Sequence, residues 1–149
     1  MPVLCDKIWG VMTTLRMMRA AEKLKIPIYD FRMRSEKGYC VQNVIAVDSR
    51  RMENDREYKA VLSEEIGHVV CGALYPLSYC GDRLKYANIQ KQERKALDYA
   101  SRLQVPLCEL KNALEKTRDD YEIAELLDVD LETLRQAVEY YQRKGLLET

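Results

Sequence analysis

The chain has no excess of charge of either sign, because its 149 residues include 24 Lys and Arg and 24 Asp and Glu. This balance gives no overall field that would draw it to nucleic acid or to a membrane surface. No apolar run is long enough to cross a bilayer, and Asp6, Lys7, Arg16 and Arg19 interrupt any candidate signal peptide. The five cysteines form no Cys-x-x-Cys pair, and their odd number favours reduced thiols over a disulfide framework. We therefore expect a soluble, cytoplasmic protein with one core of ordinary size.

Histidine is scarce: the only one, His68, ends the segment Leu-Ser-Glu-Glu-Ile-Gly-His. Side chains four residues apart share one face of a helix, so Glu64 and His68 can bind one metal ion from the same side. Glu65 lies beside that face, where the general base of an HExxH enzyme sits. Glu-Glu pairs are also common on solvated helix faces, and a single histidine need not bind anything. The motif therefore needs support from elsewhere in the chain.

A second predicted helix, which begins Gln-Glu-Arg-Lys-Ala, supplies that support. Glu93, Ala96 and Ala100 fall on one of its faces. The two alanines form a strip of methyl groups that lets another helix approach closely, and Glu93 stands at the end of this strip. The carboxylate of Glu93 is thus available as a third metal ligand.

These segments resemble the ImmA/IrrE metallopeptidases, in particular the short versions found beside repressor genes in phages and mobile elements of Gram-positive bacteria. The resemblance runs through Gly38-Tyr39 and the apolar strand after it, the altered HExxH motif (here EExGH) and the Gln-Glu-x-x-Ala-x-x-x-Ala helix. It continues into the tail, at Tyr-Glu-Ile-Ala-Glu-Leu-Leu-Asp-Val, residues 121–129. It therefore covers most of the chain.

The resemblance implies a metal-dependent endopeptidase. By position, His68 and Glu93 match metal ligands, Glu65 matches the catalytic base, and Glu64 stands where the first ligand histidine would be. A Glu/His/Glu set with one open water position suits Zn²⁺, although the additional anion weakens the pull of the metal on bound water. Mn²⁺ becomes a better competitor at such an oxygen-rich site. Without a metal, the three carboxylates would crowd together and would have to take up protons or move apart.

Cys71 is an alternative ligand, because it lies three residues after His68 on the same helix and thiolate binds zinc well. Its neighbours Val69, Val70 and Ala73 form an apolar run, however, and free cysteine is among the most buried residue types. We therefore favour a packing role for Cys71.

The order of elements predicts the fold. Leu4, Ile8, Val11, Leu15 and Met18 recur at helical spacing, and the opening helix should end near Pro27. Residues 28–33 and 39–47 read as strands joined by a hairpin turn at residues 35–38. Asn54 or Asp55 should cap the motif helix, which Gly72 and Pro76 end. Residues 75–82 lie between the two predicted ligand helices, and they form either one wall of a peptide cleft or a packed connection. We expect an α+β, helix-dominated, zincin-like domain with a small antiparallel sheet.

Pro106 should end the second ligand helix, and helices over residues 107–117, 121–127 and 131–144 should follow. The last two imitate a helix-turn-helix, with Ala124, Val129, Leu134 and Val138 at its packing positions. The would-be recognition helix, however, begins Asp-Leu-Glu-Thr, which would repel phosphate. We therefore predict a metallopeptidase-like core, 1–106, and a C-terminal helical hairpin, 107–149, packed on it in a single compact domain.

Three functions are compatible with these features. The first is a zinc endopeptidase that cuts a repressor-type protein of a phage or mobile element. The second is a degenerate relative that binds such a repressor without cutting it. The third, which the charges disfavour, is a DNA-binding regulator that uses the tail. Metal analysis separates the first two, and a salt-dependent DNA-binding assay tests the third.

Overall fold

The computed structural model describes residues 14–72 and 83–148, and within this part helices dominate. Helix α1 covers residues 14–23, the part of the predicted opening helix that is described. Leu4, Ile8 and Val11 lie outside the described residues, as does the segment 75–82. The other helices are α2 (Asp55–Cys71), α3 (Arg83–Gln104), α4 (Leu107–Lys116), α5 (Asp120–Leu127) and α6 (Leu131–Arg143), and a 3-10 turn covers Ser49–Arg51. The prediction of a helix-dominated α+β domain is confirmed.

The small sheet is mixed, and this corrects the prediction of a purely antiparallel one. Strands β1 (Ile28–Asp30), β2 (Gly38–Val41) and β3 (Val44–Val47) lie in the order β1-β3-β2, with β1 parallel and β2 antiparallel to β3. The predicted strand 39–47 is in fact a hairpin, because Val41 pairs with Val44 across Gln42 and Asn43. Gln42 adopts a φ of 53°, the positive φ that tight hairpins require. Residues 35–38 instead connect two strands that are not neighbours in the sheet.

The ends of α2 follow from its capping residues. The side chain of Asn54 accepts a hydrogen bond from the backbone N–H of Glu57, and Gly72 closes the helix in the left-handed conformation at φ 66°. Both boundaries are as predicted. The three tail helices also end within about one residue of the predicted positions, which reflects the strength of cap signals.

Two apolar clusters hold these elements. One joins α1, the inner face of the sheet and α2 through Met17, Ile45, Val47, Leu62 and Ile66. The other lies within α4, α5 and α6 around Leu110, Ile123, Leu134 and Tyr141, and includes Val105 at the end of α3. The hydroxyl of Tyr141 donates a hydrogen bond to the carbonyl of Val105 at 2.7 Å, so the second cluster is tied to the helix that carries Glu93.

Candidate metal centre

Glu64 and His68 lie one turn apart near the C-terminal end of α2. The imidazole is buried, with its side chain 10% exposed, whereas the Glu64 carboxylate is 45% exposed. His68 Nε2 lies 3.9 Å from Glu64 Oε1. The helix thus directs one nitrogen and one oxygen towards the same small volume, as the spacing of four residues predicts.

Helix α3 brings Glu93 to the same volume, with Glu93 Oε2 at 3.6 Å from His68 Nε2. Each of the three residues offers a donor atom within 4.8 Å of the other two. Among the described residues, this is the one group of at least three His, Cys, Asp or Glu side chains with such spacing. The structure therefore brings together all three predicted ligands.

The close approach of α2 and α3 depends on a glycine that the sequence analysis did not single out. A Cβ atom at Gly67 would lie 2.4 Å from the carbonyl oxygen of Ala96, inside any allowed contact. Ala96 and Ala100 are buried in the helix interface, as the predicted methyl strip requires. The sequence did contain a signal for this contact, namely the glycine directly before His68. Small residues on both helices thus set the distance between His68 and Glu93.

The donor spacing fits a metal ion. Two ligand atoms at about 2.1 Å from one tetrahedral ion are about 3.4 Å apart, close to the spacings of His68 Nε2 to the two carboxylates. Glu64 is the main cause of a rise in the pKa of His68, with further contributions from the charges of Glu93 and Glu65, while burial opposes the rise. Three anions around one imidazole create the field that binds a cation, whether a proton or a metal ion.

Glu65 lies beside this group and contacts strand β2. Gly38 makes room for it, because a Cβ at Gly38 would lie 2.5 Å from Val61 Cγ1 and 3.3 Å from Glu65 Oε1. The Cys40 thiol donates a hydrogen bond to the Glu65 carboxylate, and burial together with this carboxylate raises the pKa of Cys40 to about 11. Burial raises the pKa of Glu65 and the charges of Glu64 and Glu93 add to the rise, while the charge of His68 and the hydrogen bond from Cys40 oppose it. A carboxylate with a raised pKa is a better proton acceptor, as a general base requires.

The contacts of Glu65 with β2 were not predicted from the sequence. Alternation along a strand places Gly38 and Cys40 on the same face, so the segment Gly-Tyr-Cys carried a signal for them. That face meets α2. Gly38 leaves space for the Glu65 carboxylate, and Cys40 donates a hydrogen bond to it.

Residues 21–139, which are most of the chain, match the peptidase family described as IrrE N-terminal-like domain. The chain belongs to this family. No curated protein and no solved structure gives a significant match. Membership makes the chain a relative of metallopeptidases and implies a metal ion, and the group formed by Glu64, His68 and Glu93 is a possible site for it.

Glu64 belongs to the candidate metal centre of the IrrE-like chain, and Cys71 does not. Glu64 lies one turn before His68, and its carboxylate reaches the same volume as the Glu93 carboxylate. Cys71, the alternative ligand, does not belong to this group; it is half-buried, and burial raises the pKa of its thiol. The packing role favoured for Cys71 agrees with this position.

The tail of the IrrE-like chain buries the packing positions predicted for a helix-turn-helix, but acidic residues stand at the start of α6. Ala124, Val129 and Leu134 are buried and Val138 is partly buried, as predicted. Asp130 caps α6, and Glu132 lies in its first turn. Because DNA-binding motifs of this type present the start of the recognition helix to the major groove, these carboxylates oppose binding to phosphate. No described helix is both long and apolar enough to span a membrane.

Proposed function

We propose that the chain is a zinc-dependent endopeptidase with Glu64, His68 and Glu93 as metal ligands and Glu65 as the general base. The observation that supports this most is the convergence of three donors from two helices, with 3.9 Å and 3.6 Å between His68 Nε2 and the two carboxylates. A chance cluster on a solvated surface would not need a glycine at the helix contact or a buried imidazole. Both features are present here.

Each residue has a defined task in this proposal. A bound Zn²⁺ supplies a Lewis acid that polarises a water molecule and the scissile carbonyl. Glu65, held by Cys40, accepts a proton from the attacking water and returns it to the leaving amine. His68 must be neutral to bind the metal, so metal binding displaces the proton that the surrounding carboxylates otherwise favour.

The donor set supports a choice of metal for this proposal. One nitrogen and two carboxylates leave a Zn²⁺ site formally neutral, so its pull on water is weaker than in a site with two histidines. Mn²⁺ competes better for such oxygen-rich donors. We therefore propose zinc as the working metal, with manganese as a substitute, and a slower hydrolase than one with two histidine ligands.

The proposed substrate is a repressor-type protein of a phage or mobile element in the cytoplasm. The basis is the likeness to short ImmA/IrrE proteins beside repressor genes. Cutting a repressor would switch on the genes it controls. Neither nucleic acid nor a membrane is a required partner in this proposal.

The test is a set of single substitutions assayed on the repressor encoded beside the gene. Glu65→Gln should abolish cleavage and leave the metal content unchanged, because it removes a base and no ligand. His68→Ala should lose both metal and cleavage, while Cys71→Ser should lose neither. Equal cleavage by wild type and Glu65→Gln would indicate a contaminating protease and would refute the proposal.

A second candidate is a protein that binds a repressor without cutting it, and the anionic Glu64 is the observation that favours it. If metal-loaded wild type binds the neighbouring repressor tightly but leaves it intact over long incubation, this second function replaces the first. DNA regulation by the tail is weaker, because Glu132 and Asp130 stand at the start of α6. Salt-dependent binding of operator DNA would restore it.

A further inference from the structure

A groove between α3 and α6 opens directly beside the candidate metal centre. Its volume is about 790 Å³, within the range of about 300–1,000 Å³ typical of ligand clefts. Glu93 lines this groove, and its Oε2 is also the atom 3.6 Å from His68 Nε2. The groove and the candidate metal centre therefore share Glu93.

Apart from the ion pair of Asp98 with Arg143, the groove has exposed cations on α3 and exposed anions on α6. Lys91 and Arg94, both exposed, line it from α3, and Glu132 and Glu139, both exposed, line it from α6 with Gln136 between them. Residues 132, 136 and 139 follow helical spacing, so they form one row along the wall.

These charges do not neutralise one another across the groove. Among the residues that the structure describes, no ion pair joins Lys91 or Arg94 to Glu132 or Glu139. Glu132 accepts a hydrogen bond from Gln136 at 3.3 Å, and Glu139 lies 3.8 Å from Arg143 on its own helix. Among the described side chains of the two helices, the one ion pair that joins the walls is Arg143 with Asp98, at 2.6 Å. Opposed charges that stay apart can still interact with a molecule between them.

We propose that this groove binds a segment of the polypeptide substrate and selects a basic side chain on the side that faces α6. The inference deepens the function proposed above and rests on it for the identity of the occupant. It is supported by charge complementarity, since Glu132 and Glu139 attract Lys or Arg while Lys91 and Arg94 attract acidic groups. It also gives a role to the row of Glu132 and Glu139 on α6, which is unsuitable for DNA phosphate but suitable for a basic peptide segment.

Recognition by this groove depends on position more than on net charge. Apart from Glu93, its lining contains three cationic and three anionic side chains: Lys91, Arg94, Arg143, Asp98, Glu132 and Glu139. A uniformly basic or acidic ligand would be attracted by the exposed charges of one wall and repelled by those of the other. A segment with basic and acidic side chains in the right order is attracted by both walls, and this selectivity suits a site-specific enzyme.

The experiment uses immobilised short peptides with Lys, Arg, Asp, Glu or Ala placed at each position in turn. Zinc-loaded protein that carries Glu65→Gln serves as the probe, so binding is measured without cleavage. We expect Lys or Arg at one position to raise binding about fivefold over Ala, the upper range for one exposed ion pair. Adding Glu132→Lys with Glu139→Lys should transfer that preference to Asp or Glu. Glu132→Gln with Glu139→Gln should remove it without reversal.

The matched control is Glu22→Lys with Glu115→Lys, which makes the same change of charge at exposed positions outside the groove. The control should keep the preference of the parent protein. An unchanged preference after reversal at 132 and 139, equal loss in the control, or no peptide bound above background would each overturn the inference. Binding of duplex DNA that is lost on Lys91→Glu with Arg94→Glu would overturn it in favour of nucleic acid.

The same peptides, cut or uncut by wild type, separate this inference from the proposed function. Binding that reverses with charge but no cleavage refutes the peptidase and leaves the groove as a peptide site. Cleavage without any charge preference refutes the groove and leaves the peptidase.

Discussion

Gly67→Ala is the substitution that most directly tests how the site is built. The added Cβ would lie 2.4 Å from the Ala96 carbonyl oxygen and 3.1 Å from its carbonyl carbon. These are backbone atoms inside a helix, so no side-chain rotation can relieve the overlap. The two helices must separate by about 1 Å to restore an ordinary contact of about 3.5 Å.

The consequence for metal binding follows from the position of Glu93. It lies one turn before Ala96 on α3, so a displacement of α3 carries it away from His68 and opens the 3.6 Å spacing between Oε2 and Nε2. Metal sites tolerate about 0.2 Å in ligand distance, so the shift should cost tenfold or more in zinc affinity, on the order of the losses seen when outer-shell support is removed. Overpacking should also destabilise the fold by about 1–3 kcal/mol, partly offset by about 1 kcal/mol from the higher helix propensity of alanine.

Zinc affinity would be measured by competition with a chelator, and stability by thermal unfolding of the metal-free protein. Gly72→Ala is the matched control, because Gly72 has φ 66° and open space around its Cβ position. It should lower stability by about 1 kcal/mol through backbone strain and leave zinc affinity unchanged. If Gly67→Ala binds zinc as tightly as wild type, the close helix contact does not set the ligand geometry, and this account of the site is wrong.

Three further predictions concern other parts of the site. Glu64→His should strengthen the pull of the metal on water and raise the cleavage rate by about tenfold, measured at saturating zinc; an unchanged rate would show that ligand charge is not limiting. Gly38→Ala should push Glu65 aside and lower kcat while zinc affinity stays the same, since the new Cβ meets Glu65 and no ligand. Burial raises the pKa of Asp128, but the hydrogen bonds and charges of Lys59 and Arg56 together outweigh burial and lower the pKa. This carboxylate therefore stabilises the fold above its ordinary pKa of about 3.9, and the contribution is lost as pH falls through the lower folded value. Asp128→Asn should therefore lower stability by about 2 kcal/mol at neutral pH and flatten the loss of stability in acid, as followed by unfolding at a series of pH values.

Local signals made much of this fold and site predictable. Asn54 and Gly72 cap α2 by side-chain and backbone chemistry that acts within one turn, so both boundaries were readable. The spacing of Glu64 and His68, and the phase of Glu93 with Ala96, are also local properties. Their convergence was a reasonable inference because helical geometry fixes direction once the helices are known to meet.

The parts that escaped prediction depend on contacts between distant segments. The Gln42–Asn43 turn lacks the glycine that usually marks a tight hairpin, so the strand pair 38–41 and 44–47 read as one strand. The parallel pairing of β1 with β3 has no local signature at all. Lys59, which is 1% exposed and bonded to Asp128 in the tail, reads as a surface residue in sequence because its partner is far along the chain.

Different faces of helix α2 make the packing contacts and carry the donor atoms of the site. One row, at one-turn spacing, anchors the helix: Lys59 Nζ donates to Asp128 Oδ2 at 2.6 Å, Ser63 Oγ accepts from Gln104 Nε2 at 2.8 Å, and Gly67 meets Ala96. The next row, one position further round, carries the donors at 64 and 68. Glu65 faces β2.

Because the anchoring row and the donor row are offset by one residue, the contacts that fix the rotation of α2 also fix the aim of both donors. The site is thus held by packing that does not use the metal, with His68 and Glu93 already at 3.6 Å from each other. We therefore expect Glu64→His to place an imidazole at the same position without changing the fold. The chemistry at that position depends on the side chain, whereas its place depends on the neighbouring row.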